Sequence, residues 1–297
     1  MQARNPNSLP TAAHLVDEGR RSLRESPAID HWHSAIARED AEDLLALALG
    51  IDVEALDPKA RIPARVERRY RAHLERRAGG EPVALIRGWV EFAGLRLAVR
   101  PGVFVPRGST ETLARQGVVA MGRRLPAVAV DLACGAGPVA CAIGRARPTA
   151  EVWGLDIDAA AVSLARANAR RHDLANVHFR ISDLLSQAPA RLRGQVSVFT
   201  IHPPYVARAA VRGLPREIRG FEPRHTLTDG SADGLGLVRA LLGQAPEWLR
   251  PGGSTLVEVA PYLSRSVQAL MRRAGLQVSV AADPSGLTRV VRGRWPG

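Results

Sequence analysis

Asp131-Leu132-Ala133-Cys134-Gly135-Ala136-Gly137-Pro138 governs how the rest of the chain is read. It follows a short apolar strand, Val128-Ala129-Val130, and opens a helix, with Pro138 at the first helical position, where its missing N–H costs nothing. The glycines let backbone come close to a ligand. Outward from this loop the pattern alternates: helix from Pro138 to Ala146, strand from Glu151 to Leu155, helix from Ala159 to His172 and strand from Val177 to Ile181. Val196 to Ile201 and Ser254 to Val259 supply later strands. Such alternation predicts an α/β, Rossmann-like domain with a mostly parallel sheet covered on both faces. Ligands then sit beyond the carboxyl ends of the strands, so the loops after Val130, Leu155 and Ile201 are where chemistry is to be sought.

Taken alone, Gly135-x-Gly137-x-x-Ala140 also satisfies the dinucleotide fingerprint, with Asp156 about twenty residues on as a ribose acceptor. An NAD-dependent oxidoreductase is therefore open on this loop by itself. Asp131 ahead of the glycines and Asp183 after the Val177 to Ile181 strand separate the two cases. An ammonium, a ribose diol and an adenine amine need acceptors at successive strand ends, and Asp131, Asp156 and Asp183 supply them. This favours S-adenosylmethionine over NAD. Helix capping competes for Asp156, ahead of the Ala159 helix, and for Asp183, ahead of Leu184-Leu185.

At 297 residues the chain has room for a second unit. Ala12 to Arg77 reads as helices, with Ala41-Leu44-Leu45-Leu47-Ala48 on one face, Gly50 as a helix stop, and a further helical run from Ile62 to Leu74. Gly79-Gly80-Glu81-Pro82 breaks the run, and Trp89 to Val99 alternates around Gly94 as a β-hairpin. The expected organisation is a helical, substrate-recognising domain over residues 1–80, a hairpin linker over 81–109 and a cofactor-binding domain over 110–297.

A hydrophobic fraction of 46% and a charged fraction of 24% are those of an ordinary globular protein. No apolar run reaches the ~18–20 residues of a spanning helix, and Met1 to Pro10 lacks the order of a signal peptide, so the expected address is cytoplasmic and no membrane partner is expected. Only Cys134 and Cys141 are present, without histidines at ligand spacing, which argues against a disulfide framework and against a metal. The net charge of +12 is diffuse: all basic residues but Lys59 are arginine, interleaved with acids as in Glu67-Arg68-Arg69 and Glu75-Arg76-Arg77. This reads as a solvated helical face rather than a nucleic-acid surface. Oligomeric state is not legible.

His202-Pro203-Pro204-Tyr205 follows a buried strand, where two prolines fix the backbone, remove two donors and leave carbonyls free to accept. These four residues resemble the Asn/Asp-Pro-Pro-Tyr motif of methyltransferases acting on planar nitrogens. Pro82-Val83-x-x-Ile86-x-Gly88 and Val99-Arg100-Pro101-Gly102-Val103-Phe104-Val105-Pro106-Arg107-x-x-Thr110-Glu111 precede the cofactor loop. Phe221-Glu222-Pro223-Arg224, Asp233-Gly234-Leu235 and Leu249-Arg250-Pro251-Gly252-Gly253 follow it. In that order, from about residue 80 to the end, the set resembles the peptide-release-factor glutamine methyltransferases. The resemblance implies a class I methyltransferase fold and S-adenosylmethionine as cofactor. It implies cofactor contacts from Phe104, Pro106, Arg107, Asp131, Ala133, Cys134, Gly135, Ala136, Gly137, Asp156, Ile157, Asp183, Leu184 and His202. It places His202, Pro203, Pro204 and Tyr205 at the reacting nitrogen.

Three departures from that family stand out: His202 where the family has Asn, Gly108-Ser109 in place of Pro-Glu, and Leu184 in place of an aromatic residue; the first bears on substrate. Histidine offers one acceptor where the family's Asn and a proline carbonyl grip both protons of an amide. An aryl amine needs mainly orientation and a base, which a histidine with a pKa near ~6.5 can be. In this respect the chain is similar to the 4-amino-phenylalanine N,N-dimethyltransferases of streptogramin antibiotic pathways. The sequence is therefore read as an N-methyltransferase for a small-molecule aryl amine, with protein glutamine as the alternative partner.

Overall fold

A computed structural model describes residues 9–29, 36–123 and 125–296. The chain divides into two compact units, Met1–Gly88 with Gly213–Glu222, and Trp89–Arg212 with Pro223–Gly297. The β-hairpin is part of the second unit, and ten residues from beyond the cofactor loop return to the first.

In the first unit α1 (Ala12–Glu25), α2 (Ala37–Leu49), α3 (Ala64–Ala78) and the short α4 (Val83–Arg87) follow in order. Thr11 caps α1, its hydroxyl accepting the His14 N–H at 3.3 Å. Gly50 ends α2 in the left-handed region, φ 77°, and its N–H closes on the Ala46 carbonyl at 2.9 Å. The apolar stripes meet in a core of Leu15, Val16, Leu23, Leu44, Leu45, Ile62 and Tyr70. The α3 arginines divide. At the surface Arg71 pairs with Glu67, as their four-residue spacing predicts, and with Glu18, while Arg76 pairs with Glu81. Arg77 corrects the expectation of a solvated face: it is 2% exposed, with Nε on Asp40 Oδ2 at 2.7 Å and Nη1 on Glu217 Oε2 at 3.1 Å. The cause is helical geometry, since Tyr70, Leu74 and Arg77 recur at four and three residues and share the buried face.

The second unit opens with the hairpin of β1 (Trp89–Phe92) and β2 (Leu95–Ala98), turning at Ala93-Gly94, and α5 (Glu111–Met121). Then come β3 (Val128–Leu132), α6 (Pro138–Ala146), β4 (Glu151–Asp156), α7 (Ala159–Arg171), β5 (Val177–Ile181) and β6 (Val196–Ile201). After the excursion that carries α8 (Arg216–Phe221) into the first unit, α9 (Gly236–Trp248), β7 (Leu249–Val259), α10 (Ser264–Arg273), β8 (Gln277–Ala282) and β9 (Arg289–Arg294) complete the chain. Among the described residues seven strands form one sheet in the order β5-β4-β3-β6-β7-β9-β8, parallel except for β9, which runs against both β7 and β8.

Alternation assigns each strand's side chains to two covered faces. Val128, Val130, Phe199, Ile201 and Val257 join one core, under α9 and α10, while Ala129, Val198 and Leu256 join the other with Leu113 and Ala114 of α5. By the same alternation Asp131, Thr200 and Glu258 lie on the α5 face. The direction of strand succession reverses between β3 and β6, and a crevice at such a switch point is open at the strands' carboxyl ends. No described helix is long and apolar enough to cross a membrane.

Candidate active site

A cavity of about 330 Å³ lies at that switch point, within the second unit. Phe104, Pro106, Arg107, Asp131, Ala133, Cys134, Gly135, Ala136, Asp156, Ile157, Asp183, Leu184, His202, Pro203 and Pro204 all line it. Gly137 and Tyr205 do not. Gly137, at φ 80°, turns the loop into α6, and a side chain there would meet Phe179 at 2.8 Å. Tyr205 packs beside His202, ring centroids 5.7 Å apart, and reaches the core under α9.

Each strand end presents its acid differently. Asp131 is buried opposite Thr200 in the β3–β6 register, and the Thr200 hydroxyl donates to its Oδ1 at 2.7 Å. Burial pushes its carboxyl up to about 7, against the lowering by the Thr200 hydroxyl and the Ala140 N–H. Asp156, also raised by burial, accepts the Gly135 N–H at 2.8 Å and the Asp158 N–H at 2.9 Å. It thus clamps the glycine loop from the end of β4. It is not the cap of α7, which is Asp158, accepting from the Ala160 N–H at 2.7 Å. Asp183 is exposed at the cavity, and no hydrogen bond holds its carboxylate among the described residues. The competing cap is ruled out there too, because Ser182 Oγ, not Asp183, accepts the Gln187 N–H at 3.0 Å. Ala133 and Leu184, both at the cavity wall, occupy the left-handed region, φ 51° and 45°, at a cost in backbone strain.

The loop after β6 supplies the other end. Its two proline carbonyls are not both free: Pro204 accepts the Asp229 N–H at 3.0 Å, whereas no hydrogen bond reaches the buried Pro203 carbonyl among the described residues. A buried carbonyl without a donor is rare, and this one borders the cavity. Gly234, φ 72°, backs the loop so closely that a Cβ there would lie 1.9 Å from the Tyr205 carbonyl oxygen. The His202 ring stands edge-on to Phe104 at 5.7 Å, and burial lowers its pKa from 6.5, helped by Arg107 and opposed by Glu258. At neutral pH it is an uncharged acceptor.

Thr110, Glu258, His225 and Asp229 were not singled out from the sequence as site residues. Thr110 and Glu258 are both buried, and Thr110 donates to Glu258 Oε1 at 3.2 Å. His225 Nε2 lies 3.5 Å from Asp158 Oδ2 at the cavity edge. Among the described residues no cluster of His, Cys, Asp or Glu is arranged to hold a metal. The donor set fits a sulfonium amino acid cofactor: a buried acid for an ammonium, an acid with lone pairs remaining for a diol, and an unengaged acid for an aromatic amine.

The sheet order, the glycine turn between β3 and α6 and the acids at three successive strand ends define a class I methyltransferase that uses S-adenosylmethionine. Residues 95–213 match the methyltransferase small domain family and residues 15–88 the PrmC N-terminal domain family. The release factor glutamine methyltransferase of Geobacter sulfurreducens is 36% identical over 263 residues, covering 87% of this chain and 89% of that protein. That of Burkholderia pseudomallei is 36% identical over 87% of this chain and 92% of its own length. That of Bradyrhizobium diazoefficiens is 35% identical over 96% of both. The chain belongs to the release factor glutamine methyltransferase family and is an S-adenosylmethionine-dependent N-methyltransferase.

Proposed function

We propose that this enzyme methylates the side-chain amide nitrogen of a glutamine in a peptide release factor. The observation that carries the reading is the reach of the relatives' similarity: it runs through the helical unit as well as the cofactor domain. In this reading the helical unit recognises the protein substrate in the cytoplasm, and specificity for a macromolecule explains why such a unit is kept. The aryl amine reading, with its place in antibiotic biosynthesis, rests on His202 alone and finds no support among these relatives.

An amide nitrogen is a poor nucleophile because its lone pair is delocalised, so the site must position it and take up its proton. The unpartnered Pro203 carbonyl accepts one N–H and the neutral His202 ring the other, which aims the nitrogen's π face into the cavity. Asp131, Asp156 and Asp183, with the loop from Ala133 to Gly137, hold the cofactor. Phe104, Pro106, Arg107, Ile157 and Leu184 wall it. When bound, S-adenosylmethionine supplies an electrophilic methyl group on a cationic sulfur. His202 would take up the N–H proton that the nitrogen gives up as it receives the methyl group, and pass it on to solvent.

The test is incubation with labelled S-adenosylmethionine and either an intact release factor or 4-amino-phenylalanine, followed by peptide mass spectrometry. One methyl group on a release-factor glutamine is expected. Transfer to the aryl amine and none to the release factor would overturn the reading.

A further inference from the structure

Alternation along β6 and β7 brings a second set of polar groups to the α5 face. Ile201 pairs with Val257, so Glu258 comes alongside His202, and the turn that starts α5 lowers Thr110 onto both. Glu258 is 0% exposed. Its Oε1 accepts from the Thr110 hydroxyl at 3.2 Å and from the Ser109 hydroxyl at 3.4 Å, while Oε2 has no hydrogen-bond partner. Thr110 Oγ1 lies 3.4 Å from His202 Nδ1. A threonine hydroxyl has one proton, and here it goes to Glu258, so toward the ring the oxygen has only lone pairs. Nδ1 must then carry the hydrogen. The other ring nitrogen, Nε2, makes no hydrogen bond among the described residues, and the residue borders the cavity.

We propose that Thr110 and Glu258 are positioning residues that fix His202 as its Nδ1–H tautomer, leaving the Nε2 lone pair as the acceptor for the substrate N–H. The consequence for turnover rests on the N-methyltransferase reading, but the tautomer does not. When the substrate nitrogen gains a methyl group, one of its protons moves to Nε2 and the ring becomes a cation. The buried Glu258, whose second oxygen is uncompensated, stabilises that cation through Thr110. The charged and titratable groups facing His202 are Glu258 from β7, which favours the charged ring, Arg107 from the loop before α5, which opposes it, and Tyr205 from its own loop.

The tautomer is read directly from long-range ¹H–¹⁵N correlation spectra of the intact protein with labelled histidine, assigned by comparison with His202→Ala. The expected pattern for His202 is a pyrrole-type Nδ1 and a pyridine-type Nε2 at neutral pH. In Glu258→Gln the new amide can donate to Thr110, turning the threonine proton toward Nδ1, and the pattern should invert. Thr110→Val should give a mixture of tautomers, and Thr110→Ser should restore the original one. Turnover on the methyl acceptor should fall about 10²-fold in Glu258→Gln and Thr110→Val, with S-adenosylhomocysteine affinity intact, and recover in Thr110→Ser. The acid limb of the kcat profile should move to lower pH in Glu258→Gln, where a charge favouring the imidazolium is gone. A wild-type ring protonated on Nε2 overturns the proposal whatever the substrate. An Nδ1–H ring with no activity on a release factor overturns only the substrate reading.

Discussion

If Asp131 pairs with the cofactor's ammonium, as proposed, cofactor binding is coupled to a proton. The Asp131 carboxyl is 3% exposed and lifted from 3.8 to about 7, chiefly by burial. At about 1.36 kcal/mol per unit, that lift is roughly 4 kcal/mol by which the fold disfavours the charge when no cation faces it. The ammonium of S-adenosylmethionine or S-adenosylhomocysteine pairs with the ionised form, so below about pH 7 a proton must leave as the ligand enters. Affinity should fall by up to about tenfold per pH unit below 7 and level off above it. Stability of the ligand-free protein has the opposite sign. A raised folded-state value means that this group's contribution is complete below 3.8, declines as pH rises, and is gone above about 7. Asp131→Asn keeps the shape and an acceptor for Thr200 but cannot ionise. The variant should be more stable than the wild type at about pH 8, bind S-adenosylhomocysteine roughly 10–100-fold more weakly, and lose the slope. Asp156 and His202 also titrate with shifted values, and the variant separates their part from that of Asp131. Calorimetry in two buffers of different ionisation enthalpy counts the proton, and thermal denaturation follows stability. Equal wild-type affinity at about pH 6 and about pH 8, or an Asn variant that binds as tightly, would refute the coupling.

Gly234→Ala places a Cβ 1.9 Å from the Tyr205 carbonyl at a φ of 72°, so a loss of about 1–3 kcal/mol in urea denaturation and a larger loss of turnover are expected; unchanged turnover would show that the loop can shift without harm. Arg77→Ala leaves Asp40 and Glu217 as buried acids with their shared cation removed and should cost about 3–5 kcal/mol, whereas a variant less than about 1 kcal/mol weaker would mean that the pair is hydrated in solution. Asp156→Ala removes the clamp on the Gly135 N–H together with the ribose acceptor, and S-adenosylhomocysteine should bind about 1.5–3 kcal/mol more weakly; an unaltered dissociation constant would assign Asp156 to the loop alone.

What could be read from the sequence was whatever has a local cause. Val196 to Ile201 carries apolar residues toward both of its faces because both are covered, and its ends coincide with those of β6. Pro138 and Gly50 marked helix boundaries because their backbone chemistry admits few alternatives. The strands β8 and β9 escaped notice for the converse reason. Gln277–Ala282 is an edge strand with no buried face, and in Arg289–Arg294 the adjacent Val290 and Val291 enter different cores. The acids at the strand ends were legible as acceptors because they follow apolar runs. Glu258 was not, since a single polar residue between Val257 and Val259 reads as the outward side of a strand, and its partner Thr110 lies 148 residues away. Arg77 looked like its neighbours because an arginine reads as solvated, although its spacing from Tyr70 and Leu74 places it on the apolar face of α3.

The arrangement along the α5 face also accounts for where charge goes in the reaction. Methyl transfer from a sulfonium to a neutral amide conserves charge: the cation that arrives on sulfur departs as a proton. Asp131 at the end of β3 and Glu258 near the end of β7 are two buried acids, and Glu258 adds, after burial and Asp156, to what lifts the Asp131 carboxyl. Ligand-free, that is an unfavourable pairing which the fold tolerates by leaving Asp131 readily protonated. On the proposed mechanism Asp131 would face the ammonium that donor and product share. After transfer the new positive charge would sit on His202, where Glu258 would face the cation formed as the sulfonium charge is lost.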